Sequence, residues 1–186
     1  MVSTVIAMIV LAGVTNTFIG QTRYYNAQEH VNEMQQNARA AIDLMVREIK
    51  LAGYDPAGTA ITASNGIPYS SSQLEVLADL NGDGSATASD EDVIYTYDGD
   101  NLRIRRTTAG VTTTVAENIS AFTFAYLDAS GNPTTTTGNI RQIQIGITAR
   151  TSKPDPNYTV NNGYMTYQLT ALITPQNLCY KAGSCP

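Results

Sequence analysis

The chain has 186 residues, 42% hydrophobic and 15% charged, a size and composition that suit one globular domain and exclude an extended disordered tail. Eleven Lys and Arg against 16 Asp and Glu leave a net charge of −5, which argues against a nucleic-acid partner, because phosphate neutralisation needs a basic face. One His and two Cys exclude a His/Cys zinc centre and leave almost nothing for His-assisted nucleophilic catalysis, and no acid, base and nucleophile converge elsewhere in the pattern.

Residues 1–52 balance four bases (Arg23, Arg39, Arg47, Lys50) against four acids (Glu29, Glu33, Asp43, Glu48), so the negative charge belongs to residues 53–186. The first charge is Arg23. Residues 1–22 are mostly Val, Ile, Leu, Met, Ala and Gly and, as a helix, cover roughly 30 Å, the hydrocarbon thickness of a bilayer. A signal peptide would open with basic residues and close on a small-residue cleavage site, and neither is evident. The pattern then turns amphipathic without a break. Val31, Met34, Ala38, Ala41, Ile42, Met45, Ile49 and Ala52 recur at steps of three and four and predict one apolar stripe. No Pro falls within residues 1–52, Gly53 stands where a C-terminal cap belongs, and Pro56 follows. One helix is expected, of order 75 Å long, whose first half (1–22) wants lipid or other apolar helices and whose second half (23–53) wants a sheet.

Residues 54–186 are rich in Thr, Ser, Gly and Asn and predict strands at 73–78, 92–97, 101–107, 112–116, 120–127, 140–150 and 164–174. Phe122, Phe124 and Tyr126 alternate with small residues, as do Ile143, Ile145 and Ile147 with Gln, Gly and Thr, so one face of an antiparallel sheet is covered, and the stripe 31–52 is its cover. Residues 97–101 and 128–133 have turn composition. No repeat or second domain is evident.

Between the first two strands, Asp79, Asn81, Asp83, Gly84 and Asp90 fit the EF-hand template at positions 1, 3, 5, 6 and 12, with Asp replacing Glu at the last. Calcium takes six to eight oxygens, and the spacing predicts a shell from Asp79, Asn81, Asp83, the Ser85 carbonyl, Thr87 and Asp90, with Glu91 or Asp92 replacing Asp90 if the chain bends differently. The loop also resembles dockerin calcium loops, although paired flanking helices are not evident. The alternative is a solvated acidic turn, in which five acids between 79 and 92 repel one another with no base among them. Cys179 and Cys185, with five residues between them in an exported head, are expected to form a disulfide. His30 is expected to face solvent or the stem beside Glu33. Arg103, Arg105 and Arg106 form the basic cluster, and they either pair with Asp98 and Asp100 or meet the acidic patch of another subunit. Tyr24-Tyr25 suits a membrane interface.

The layout resembles type IV pilins and pseudopilins, and the run from Gln35 to Leu44 followed by Arg47-Glu48-Ile49-Lys50-Leu51-Ala52-Gly53-Tyr54 looks like the stem of PilW-type minor pilins. Ala116-Glu117-Asn118-Ile119, Ile140-Arg141 and Ala149-Arg150 leading to Pro154-Asp155-Pro156 fit the same family. The resemblance implies an α+β fold with a long N-terminal helix on an antiparallel sheet, in which Val5, Ile9, Val10, Val14 and Phe18 line a filament core. It also implies no enzymatic activity, other pilin subunits as partners, storage in the inner membrane, and an extracellular filament. Prepilin peptidase would act on an upstream leader ending in Gly before a mature Phe, with Glu at the fifth position. None of these stands in the sequence, and Met1 aligns a few residues inside the mature helix, so the chain either is numbered from an internal start, which is the expected case, or is a variant without the Glu. A minor pilin for initiation or the tip is the expected role. The alternatives are a type II secretion pseudopilin, which shares the fold and often binds calcium, and a membrane-tethered, calcium-dependent binding module.

Overall fold

The computed structural model describes residues 2–186, with side chains from Thr17 onward and, before it, at residues 8, 11 and 13–15. Helix α1 runs from Val2 to Leu51. Gly53 ends it at φ 80°, a left-handed conformation that an L side chain resists, and the Tyr54 amide donates back to the Leu51 carbonyl at 2.9 Å. The stripe is buried as its period requires: Met34, Ala38, Ala41, Met45, Ile49 and Ala52 are in the core, with Val31 and Ile42 half-buried at its margins. Among the described residues no helix is long and apolar enough to cross a membrane. Of the span expected over 1–22, Met1 and the side chains of ten further residues lie outside what is described.

Seven strands follow: β1 (Gln73–Leu77), β2 (Asp92–Asp98), β3 (Arg103–Thr108), β4 (Val111–Ala116), β5 (Ile119–Leu127), β6 (Gln142–Arg150) and β7 (Thr166–Ile173). Every expected strand is present with its ends shifted by at most two residues. They form two sheets rather than the single one expected, β1-β2-β3-β4 and β5-β6-β7, antiparallel throughout. The break falls at Asn118, whose φ of 57° turns the chain out of β4 before β5 can extend the first sheet, and the Ile119 amide ties the new start to the Leu102 carbonyl at 2.9 Å. Helix α1 lies across β6 and β7 and touches β4. Beneath it Ile143, Ile145 and Ile147 are fully buried, and the small side chains of Ala38 and Ala41 let the sheet approach.

A short helix α2 (Gln176–Ala182) was not expected; its 7 residues, about two turns, carry too few apolar side chains to show a period. Leu178 seats it. A Cβ built on Gly53 or Gly66 would stand 2.4 Å from Leu178 Cδ2, so both positions must be Gly for the peg to enter.

Candidate functional site

The uncharged half of α1 projects from the head. Of the expected filament-core positions, the side chains of Val5, Ile9 and Val10 lie outside the described residues, whereas Val14 and Phe18 stand in the open with Met8 and Leu11, all 63–73% exposed. The hydroxyls of Thr15, Thr17 and Thr22 donate to the carbonyls of Leu11, Gly13 and Phe18 at 2.8–2.9 Å. Folding these groups onto their own helix removes the main cost of moving the surface out of water.

The loop between β1 and β2 is ordered around its acids. Asp79 is fully buried and accepts the amides of Gly82 (2.7 Å) and Gly84 (3.0 Å). Asn81 accepts the Asp83 amide and Asp83 the Ser85 amide, while the hydroxyls of Ser85 and Thr87 meet at 2.7 Å. The first part of the expected shell thus turns as the template requires, but its end is different. Asp90 adopts φ 67° and points out to Arg106, and Glu91 closes the loop instead. Glu91 is buried and accepts the amides of Leu80, Asn81 and Ala88 at 2.9–3.1 Å. Among the described residues no three His, Cys, Asp or Glu groups stand close enough together to hold a metal.

The basic cluster is paired inside the chain. Arg103 meets Glu117 at 3.2 Å and Arg105 meets Asp98 at 2.8 Å. Hydrogen bonds from Asn101 and then the Arg105 charge hold the Asp98 carboxyl below the usual carboxylate range. Arg106 bridges stem and loop, reaching Glu48 on α1 at 2.8 Å and Asp90 at 2.6 Å. The Tyr95 hydroxyl donates to the same Glu48, and burial followed by that carboxylate pushes the phenol well above its ordinary range. Alternation in β3 placed Arg103 and Arg105 on one face; nothing local signals that Arg106, on the other face, would find the stem.

At the far end α2 clasps the top of α1. The Asn177 amide donates to the carbonyls of Lys50 and Leu51, which have no partner within the helix. Lys181 donates to Asp55 at 3.1 Å and to the Ile61 carbonyl at 2.6 Å. Asp55 is held down to about 2 by the Ile61 amide first, then by Lys181 and the Gly58 amide, against the opposing effect of burial. Cys179 and Cys185, the expected disulfide pair, stand as two thiols, the first buried and the second exposed. The chain turns back at Gly183, and burial, then the neighbouring Cys185, pushes the Cys179 thiol up to about 12. His30 sits on α1 with Nδ1 3.2 Å from Ser152 Oγ and 3.6 Å from Glu33, the stem-packing position expected.

A family model described as prepilin peptidase-dependent protein B matches residues 27–171. A type IV-like pilin from Thermus thermophilus is similar at 14% identity and a TM-score of 0.49, over 77% of this chain and 97% of its own. No curated protein matches the chain.

Proposed function

The chain belongs to the prepilin peptidase-dependent protein B family and is a pilin-type structural subunit rather than an enzyme; from that premise we propose that it is a minor pilin of a type IV pilus or pilus-like filament, acting at initiation or at the tip. The uncharged half of α1 is held in the inner membrane, released from its leader by prepilin peptidase, and then withdrawn to lie among like helices in the filament core. The exposed run of Met8, Leu11, Val14 and Phe18 carries this reading. Burying those four side chains releases roughly 6–12 kcal/mol, at about 1.5–3 kcal/mol each, in either apolar environment. The head, fastened to the second half of α1, makes contacts outside the core. Phe18→Asp tests it: the variant should be lost from sheared filaments while its melting temperature is unchanged, and recovery in filaments at the native level contradicts the reading.

A type II secretion pseudopilin is the second reading, and the loop 79–91 favours it. In that reading calcium gathers Asp79, Asn81, Asp83, the Ser85 carbonyl, Thr87 and Glu91, with Glu91 rather than Asp90 closing the shell. Support comes from the turns already made by Asp79, Asn81 and Asp83 and from the inward carboxylate of Glu91; the donors must move closer together to take the ion. Calcium should raise the melting temperature of the native chain and of Asp90→Asn but not of Glu91→Gln. Identical melting in calcium and in chelator removes the calcium site. Deletion of the gene separates the two readings, since a pilus subunit removes surface filaments and a pseudopilin blocks protein export.

A further inference from the structure

We propose that the groove between α1 and the 151–157 loop binds the phosphate headgroup of an anionic phospholipid, an inference that rests on the membrane-stored helix proposed above. The groove encloses about 890 Å³ and begins at Gly20, in the last turn before the first charge of the chain. Gly20, Arg23, Ala27 and His30 follow one another at helical spacing along one wall, and the 153–157 loop with Met165 forms the other. With the uncharged run in hydrocarbon, this opening lies at headgroup depth, flanked by the exposed rings of Tyr24 and Tyr25.

The chemistry of the walls suits a phosphate attached to an apolar tail. Arg23 and Lys153 line the groove from opposite sides, and among the described residues neither has a carboxylate within ion-pair distance. Asp155 is the one acid among the lining residues, and its carboxylate is engaged by the Asn157 amide at 2.9 Å. In a chain of net charge −5 this is a local excess of positive charge. Pro154, Pro156 and Met165 supply an apolar floor for the glycerol and the first methylenes.

The loop that presents Lys153 is fixed in advance. Its own carbonyl accepts the Thr151 hydroxyl at 2.9 Å, the Asp155 amide donates to the Gly163 carbonyl at 2.8 Å, and the Tyr158 amide returns to the Asp155 carbonyl at 3.0 Å. Gly163, at φ 88°, allows this closeness, since a Cβ there would stand 2.9 Å from Pro154 Cβ and 3.1 Å from the Asp155 carbonyl oxygen. An uncharged helix from a second copy would fill the groove but bury Arg23 and Lys153 without counter-charges, which disfavours it.

The test uses the full chain, floated with phosphatidylcholine vesicles and with vesicles containing phosphatidylglycerol, followed by native mass spectrometry in mild detergent with the two lipids at equal concentration. The native chain should float with both and retain phosphatidylglycerol in preference, by about fivefold per cation and so roughly 25-fold for the pair. Arg23→Gln with Lys153→Gln should equalise the two lipids and leave flotation and melting temperature unchanged. Flotation without headgroup preference, or a preference that survives the double variant, overturns the lipid site alone. A dimer that the double variant dissolves overturns it in favour of a protein partner. Failure to float with either vesicle overturns the membrane-stored helix and the lipid site with it.

Discussion

Replacing Arg106 by Gln cuts a side chain that joins the stem, the sheet and the acidic loop. Arg106 and Glu48 are only 14% and 16% exposed, whereas Asp90 is 58% exposed, so the two halves of the bridge lie in different solvents. Burial works against the Arg106 charge, yet Glu48 and Asp90 more than offset it and raise its pKa above the usual guanidinium value. Breaking a buried pair from one side costs about 3–5 kcal/mol, because the remaining charge loses its partner, while an exposed pair is worth about 0.2–1 kcal/mol. With some solvent access at both groups, Arg106→Gln should cost about 3 kcal/mol, at the lower end of that range, and Asp90→Asn at most about 1 kcal/mol. Glu48→Gln together with Arg106→Gln should cost less than the two separate losses by roughly 1–2 kcal/mol, since only the exposed Asp90 then lacks a partner and no buried charge is left unpaired. Urea denaturation of the purified chain at pH 7, with the slope unchanged across variants, measures all of these. A cost below about 1 kcal/mol for Arg106→Gln, or strict additivity of the pair, would refute the reasoning.

The peg of α2 gives a second cycle. Leu178→Ala should cost about 2–5 kcal/mol and Gly66→Ala about 1–3 kcal/mol, but the double variant should cost less than their sum because the new methyl enters the space that Leu178 vacates; additive losses contradict the socket. The Asp55 carboxyl is held below its unfolded value, so its stabilisation is present above the ordinary carboxylate range and is lost as pH falls through about 2. Amides of 176–182 should therefore keep their hydrogen-exchange protection at pH 4 and lose it near pH 2, and loss already between pH 5 and 4 argues against the clasp. In exported chain, Cys179 and Cys185 should join as a disulfide that adds roughly 2–2.5 kcal/mol. Two free thiols in non-reduced mass spectrometry dispose of that bridge.

The stem and the strands were legible because burial imposes a period. Met34 to Ala52 repeat at the helical step, and Ile143, Ile145 and Ile147 at the strand step, whatever else the chain does. The division into two sheets was not legible, because it turns on a single backbone angle at Asn118, and Asn in a Thr-rich segment looks like any turn. In the acidic loop the spacing of Asp79, Asn81 and Asp83 suits the tight turns those side chains make to the following amides, and a template that counts positions then selected Asp90. Arg106 draws that side chain outward from 16 residues away, and Glu91 is left to turn in. The Asp55–Lys181 and Glu48–Arg106 pairs join residues 126 and 58 apart in the chain, and no local pattern encodes such distances.

If this chain leaves the membrane and enters a filament, as proposed, the N-terminus of the native protein carries the record of it. Mass spectrometry of protein from sheared surface filaments, beside the inner-membrane fraction, should find in the filaments a processed and methylated Phe upstream of the apolar run. An unprocessed N-terminus confined to the membrane fraction would contradict the claim.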